Sequence, residues 1–256
     1  LFDLSGWTFF DRILFPVVVA DHWDGLISAA GVNNTMIFTE MIEDEIYRNG
    51  GHLGFATSYV LGKLSATGSG PAGDIESVTA NYRGRGFKIN RSAVARSSIA
   101  SFFLSSMTYQ FGYQFVKLFM GERTYFHAWE FCGVQLPNTE FYMTRAGLSY
   151  KVRTGYSFDS WRFPADVEFI SEGNKRVEVS LGAEKTFNRA STIIGVVVGK
   201  AVEFELELSY GLGERILLSG GYSLYDVNNL HGERLIPSLE HGSKYHESFI
   251  RMSLLY

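Results

Sequence analysis

The amino-acid sequence predicts an all-β fold, an antiparallel up-and-down transmembrane β-barrel of about 10–14 strands, each about 9–11 residues long. Three observations carry that expectation. Apolar and polar residues alternate with a two-residue period through most of the chain, aromatics are abundant, and no apolar run is long enough for a membrane helix. Aromatics make up 15% of the 256 residues, with 21 Phe and 14 Tyr, and 27 Gly stand against only 5 Pro. That mix suits many strands joined by glycine-bearing turns. The longest apolar stretches, Ile13 to Ala20 and Ile193 to Val198, fall far short of the roughly 20 residues a spanning helix needs.

Taken in order, the first fifty residues are the least legible, and Met36 to Tyr47 fits a short amphipathic helix or a strand equally well. Leu53, Phe55, Tyr59 and Leu61 alternate with small residues and predict a strand. Residues 74–87 put Ser77, Thr79, Asn81, Arg83 and Arg85 on one side of another. Met107, Tyr109, Phe111, Tyr113 and Phe115 alternate with Ser106, Thr108, Gln110, Gly112 and Gln114, again as a strand would. Tyr142 to Arg153, Trp161 to Phe169 and Arg176 to Phe187 repeat the rhythm. Between Ala201 and Gly211 it is cleanest: Val202, Phe204, Leu206, Leu208 and Tyr210 oppose Glu203, Glu205, Glu207 and Ser209. Arg215 to Leu224 follows suit. Turn signals separate these segments at Gly50-Gly51, Thr67 to Gly73, Glu172 to Asn174, Asn188 and Gly211 to Gly213. With no linker or low-complexity tract, residues 1–256 read as one barrel domain. The start at Leu1, without an initiator methionine, suits a mature product or the C-terminal part of a longer chain.

A soluble sandwich also alternates, so the chemistry of the two faces matters. The polar faces combine Gly, Ser and opposed charges, which fit a wet lumen. The apolar faces carry Tyr and Trp toward segment ends, as aromatic girdles at membrane interfaces do. The chain closes on Ile250, Met252, Leu254 and Tyr256, an alternating series ending in an aromatic residue. This ending resembles the C-terminal strand of Gram-negative bacterial outer-membrane β-barrel proteins. The resemblance covers the last strand specifically and the remainder only by general pattern. It implies a place in the bacterial outer membrane, contact with its lipids, and recognition by the barrel assembly machinery during biogenesis.

On the inferred inner face, Arg83, Arg85, Arg145, Lys151, Arg153 and Arg162 come early, and Glu168, Glu178, Glu184, Glu203, Glu205 and Glu207 come late. Closure would set a basic wall across from an acidic one, and a low-dielectric wall would focus the field between them. The function expected is an outer-membrane channel for hydrophilic solutes or a secreted polymer such as a polysaccharide; it requires no covalent chemistry and leaves room for a periplasmic partner. A plugged structural or adhesive barrel acting through the loop Val227 to Ser243 is an alternative. A third reading is a lipid-ester hydrolase: His246 and Ser248 sit two apart on the last strand with Asp226 at the top of the preceding one. Outer-membrane lipid hydrolases carry a His-x-Ser pair on the barrel's outside, and the arrangement resembles theirs. Such a serine needs an adjacent base, and the base an orienting partner.

Other chemistry is weakly signalled. Gly68 to Gly73 matches GxGxxG, but the expected strand after it leaves no helix N-terminus for a pyrophosphate, so it reads as a turn and no cofactor is expected. The histidines lack metal-ligand spacing, and the lone Cys132 cannot form an internal disulfide, so no metal site is expected. A net charge of −4 gives no basic footprint for nucleic acid.

Overall fold

Helices come first and strands second. The computed structural model describes residues 21–68, 74–187, 190–212, 216–226, 228–231 and 244–254. Among the described residues of the first half of the chain lie five helices, α1 (Asp21–Asn49), α2 (Phe55–Lys63), α3 (Asp74–Gly84), α4 (Arg91–Leu104) and α5 (Ser106–Phe119). The long α1 stops where Gly50 takes φ +76° and its amide donates to the Ile46 carbonyl at 2.9 Å. Glycine reaches that left-handed conformation without the Cβ clash other residues suffer. Asn90 opens α4 as an N-cap, accepting from the Ala93 amide at 2.9 Å.

The strands are β1 (Gly51–His52), β2 (Tyr125–Phe126), β3 (Glu130–Phe131), β4 (Val134–Gln135), β5 (Asn138–Thr144), β6 (Gly147–Phe158), β7 (Trp161–Gly173), β8 (Val177–Phe187), β9 (Ala190–Val198), β10 (Val202–Leu212), β11 (Ile216–Asp226) and β12 (Lys244–Leu254). Strands β1 and β2 form a small ribbon of their own. The other ten form one sheet, in which β6 to β12 run as a consecutive antiparallel meander. Beyond β6, the β3–β4 hairpin extends one end of its edge and β5 pairs along the other. Among the described residues the sheet is open and does not close into a barrel.

The helices pack as a layer on β5 and the start of β6. One apolar cluster joins Met36 of α1, Ile75 and Val78 of α3 and Val94 of α4 to Phe141 and Leu148 of the sheet. A second joins Ile42 and Ile46 of α1, Tyr59 of α2, and Met107 and Phe111 of α5 to Phe126. Between them lies a buried polar hub. The Lys63 Nζ donates to Glu140 Oε1 at 2.9 Å and to the Thr139 carbonyl at 2.7 Å, and lies 3.3 Å from Glu43 Oε1. Tyr59 Oη donates to Glu43 at 2.8 Å and meets Ser105 Oγ at 2.7 Å. This hub ties α1, α2 and the α4–α5 junction to β5, with Lys63, Glu43 and Glu140 all at 0% exposure.

The chain is therefore not all-β, and three expected strands are corrected. The 53–61 segment contains most of α2, residues 74–87 hold α3 and the loop after it, and 107–115 lies within α5. In each, burial follows a helical stripe: Ala56, Tyr59 and Lys63; Ile75, Val78, Thr79 and Tyr82; Met107, Gln110, Phe111 and Gln114. Recurrence at three and four residues is what packing onto a core selects. Met36 to Tyr47, left open by the sequence, is helix within α1. The reason for dismissing Gly68 to Gly73 also changes, because a helix, α3, does follow. Residues 69–73 lie outside the described residues, but a helix and a 3-10 turn (Ser65–Thr67) precede them. The strand–turn–helix setting of a dinucleotide site is therefore missing.

Candidate functional site

The wall from β6 to β12 has two chemically opposite faces. On β10, Val202 and Leu208 are 59% and 54% exposed, whereas Glu203 between them in the pleat is 2% exposed. Phe204 and Tyr210 share the exposed face, and Ser209 shares the buried one. The pattern continues across the register. Trp161, Phe163, Val167 and Phe169 of β7, Val177, Val179 and Leu181 of β8, and Leu218 and Tyr222 of β11 are exposed. Arg162, Glu168, Glu178, Glu184, Ser219 and Ser223 from the same strands are buried. Alternation sets the two faces locally; which one is covered depends on what packs there.

What covers the polar face of β6 to β8 is α1. Glu40, Asp44 and Arg48 recur every four residues and so share one side of that helix. Lys151 Nζ donates to Glu40 Oε2 at 3.1 Å, and Arg153 Nη1 lies 3.3 Å from the same oxygen. Arg153 and Arg162 both donate to Asp44 Oδ1, at 2.6 and 2.8 Å. Arg48 and Arg162 meet Glu184 Oε2 at 3.2 and 3.4 Å. The Arg162 guanidinium also sits 4.4 Å from the Tyr47 ring centroid, and Tyr47 Oη bonds Ser157 Oγ at 2.6 Å. Burial pushes the Asp44 carboxyl up, but Arg153 and Arg162 outweigh it and hold the group below its ordinary value.

A second element folds onto the same face from the segment after β11. Glu178 accepts from the Leu230 amide at 2.5 Å and the His231 amide at 3.2 Å, and His231 Nδ1 meets Glu203 Oε2 at 2.6 Å. Asn229 bonds both backbone groups of Ala201. Beside this segment, over β6 to β10, lies a pocket of about 160 Å³ whose polar lining is Lys151, Asp166, Ser180, Glu203, Glu205, Tyr225 and His231. Glu207 accepts from Ser209 Oγ at 3.1 Å. Across β11, Glu205 and Glu247 flank Ser223 in one cross-strand row.

The expected charge rows thus divide. Lys151, Arg153, Arg162 and Glu184 come together on α1. Glu178 and Glu203 hold the 228–231 segment, Glu168 accepts from Ser149 Oγ at 2.5 Å, and Glu205 faces the pocket. Arg83, Arg85 and Arg145 do not join a strand row. Arg83 pairs with Glu76 at 2.9 Å within α3, Arg85 follows that helix, and Arg145 sits in the β5–β6 turn, where its carbonyl accepts from Arg85 Nη1 at 2.6 Å. The residues missed are Glu40, Asp44, Tyr47, Arg48 and His231. The four-residue recurrence of Glu40, Asp44 and Arg48 was the available signal for the first group, once α1 is known to be a helix.

For the hydrolase constellation, His246 and Ser248 are both exposed on β12. His246 Nδ1 is held by Tyr222 Oη at 2.5 Å. Asp226 is buried at the strand end, where its Oδ1 accepts from the Asn228 amide at 2.9 Å and Asn228 Nδ2 at 2.7 Å. The group orienting His246 is thus Tyr222, and Asp226 is committed to the turn. In the closing series, Ile250 is exposed and Tyr256 lies outside the described residues.

No protein-family model, curated protein or solved structure matches this chain.

Proposed function

We propose that β6 to β12 form the membrane-crossing wall of an outer-membrane β-barrel with a polar lumen. That lumen would pass hydrophilic solutes or a secreted polymer, with α1 as a plug that narrows the basic side. The observation that carries this reading is the inverted polarity of the wall, apolar and aromatic outside, charged and hydroxylic inside. Fully burying a Val, Leu or Phe side chain is worth about 1.5–3 kcal/mol. A soluble sheet would not forgo that gain along β7, β8, β10 and β11 while burying carboxylates and a guanidinium at a desolvation cost. Hydrocarbon outside the wall removes the contradiction. Strand lengths support it: β8, β10, β11 and β12 have 11 residues and β9 has 9, against about 9–11 for a tilted strand crossing a bilayer.

With α1 neutralising Lys151, Arg153 and Arg162, the described side chains left as charges toward the open part of the inner face include Glu205, Glu207 and Glu247. A lumen of that sign favours cations. Reconstitution of the chain into planar bilayers tests the reading. Stepwise, cation-preferring conductance is expected, and Glu205→Gln with Glu207→Gln and Glu247→Gln should reduce the preference. Silence from both the native chain and a variant with α1 released by Glu40→Gln and Asp44→Asn would remove the channel.

A further inference from the structure

We infer that α5 and the β3–β4 hairpin form a second lipid-contacting surface, an in-plane skirt lying in the membrane interface beside the strand wall. This rests on the wall reading proposed above.

The outward side of α5 is apolar and aromatic, as the outward side of the wall is. Its buried stripe, Met107, Gln110, Phe111 and Gln114, is half amide. Gln110 Oε1 is satisfied there by the Trp129 amide at 2.8 Å. Its exposed side is Tyr109, Tyr113 and Val116, at i, i+4 and i+7, continued by Met120 at the C-cap, with Phe115, Leu118 and Phe119 beside it. Phe119 is 87% exposed. The one charge in α5, Lys117, lies 5.2 Å over the Tyr113 ring and pairs with Glu122 at 3.3 Å, outside the helix. Its long stem suits a residue whose head reaches back to water from an apolar surface.

The skirt is continuous with the wall, residue by residue. Phe163 of β7 pairs with Tyr156 of β6, Tyr156 with Val134 of β4, and Val134 with Phe131 of β3. All four are exposed. Trp129, two residues before Phe131, stacks edge-on against Tyr113 of α5 with centroids 5.8 Å apart. Phe103 and Leu104 of α4 extend the patch, and Tyr109 Oη donates to the Phe103 carbonyl at 2.7 Å. Tyr and Trp at this junction are the side chains that favour the headgroup level. A helix of 14 residues is about 21 Å long, short of the roughly 30 Å hydrocarbon core. Among the described residues no helix is long and apolar enough to cross a membrane. Lipid contact by α5 therefore means lying along the interface with its apolar side down.

The test uses the whole chain with its one cysteine removed (Cys132→Ser), refolded into phosphatidylcholine vesicles containing nitroxide-labelled lipid. An environment-sensitive fluorophore is placed in turn by Val116→Cys, Phe119→Cys, Leu208→Cys and Lys88→Cys, all at exposed positions. Loss of fluorescence to the lipid nitroxide at 116 and 119, comparable to that at 208 and absent at 88, is the expected result. Quenching at 208 with none at 116 or 119 overturns the skirt and leaves the wall standing. No quenching at any position overturns the wall reading itself. A blue-shifted but unquenched fluorophore at 116 and 119 means that protein, either a second copy or another chain, covers α5, and this also overturns the inference.

Discussion

The helical layer and the strand wall bury opposite things. Between the helices and β5, Met36, Ile46, Ile75, Val94 and Phe141 are enclosed, and the buried charges there gather in one hub in which Lys63 is surrounded by partners. Across β7, β8, β10 and β11 the enclosed side chains are mostly carboxylates, Arg162 and serines, with Ile170 the aliphatic exception among the described residues, and most other aliphatic ones face outward. One chain thus follows two solvent rules. The helical layer is organised as water demands, and the wall as hydrocarbon would demand. Helix α5 stands at the boundary: it contributes Met107 and Phe111 to the water-type core and shows an apolar back to the outside.

The largest effect that would sharpen this contrast is expected at the hub. Lys63→Met leaves Glu43 and Glu140 buried against each other, and breaking a buried pair in this way costs about 3–5 kcal/mol. Burial pushes the Lys63 ammonium down, but Glu140 and Glu43 outweigh it and hold it above its ordinary value. The ammonium therefore stays charged through neutral pH. Denaturant unfolding followed by far-UV circular dichroism should show the loss, and adding Glu43→Gln and Glu140→Gln should recover much of it. Equal stability of Lys63→Met and the native chain would break the picture of a buried, partnered charge.

Next is the wall. Leu208→Arg is expected to cost about 2–4 kcal/mol in a bilayer if it sits near the midplane, whereas an exposed substitution in water usually changes stability by less than about 0.5 kcal/mol. Folding titrations into lipid vesicles measure which rule holds. A near-neutral result there would equate the two regions and remove the contrast.

A smaller effect is expected where the regions meet. Asp44→Asn removes the acceptor shared by Arg153 and Arg162, at about 1–3 kcal/mol for the partners left short, and should loosen α1 without unfolding the wall. Hydrogen exchange of α1 reads that directly. The pH dependence follows from the sign of the Asp44 shift. With its folded-state pKa below the ordinary 3.8, its contribution is complete above that value. It is lost only as pH falls through the lower folded value. Release of α1 on acidification is therefore expected below the ordinary carboxylate range. The smallest effect is assigned to Ser248→Ala. With His246 held by Tyr222 and Asp226 engaged by Asn228, lipid-ester hydrolysis should be at background in both forms. A Ser248-dependent release of fatty acid would restore the hydrolase reading.

How much of this was legible differs by region for a physical reason. From Gly147 onward, the period-two alternation names both faces of each strand, and the paired registers of β9, β10 and β11 follow it without a slip. Consecutive strands joined by short turns need little beyond local pattern. The charge rows on β6 to β10 were readable for the same reason. In the helical half, the alternation of Met107, Tyr109, Phe111, Tyr113 and Phe115 coexists with a three-to-four spacing of Met107, Gln110, Phe111 and Gln114. Local preference alone is a weak arbiter between the two.

By itself, then, the sequence determined the strand wall and its two-faced chemistry, because side-chain direction in a strand is set by the neighbouring peptide. Only the tertiary structure decided that 55–63, 74–84 and 106–119 are helices. It also decided that α1 answers the basic row with Glu40 and Asp44, and that Arg83 and Arg85 belong elsewhere. Those outcomes depend on which surfaces meet across more than a hundred residues of chain, as Arg153 and Asp44 do. No local period encodes a partner that far away.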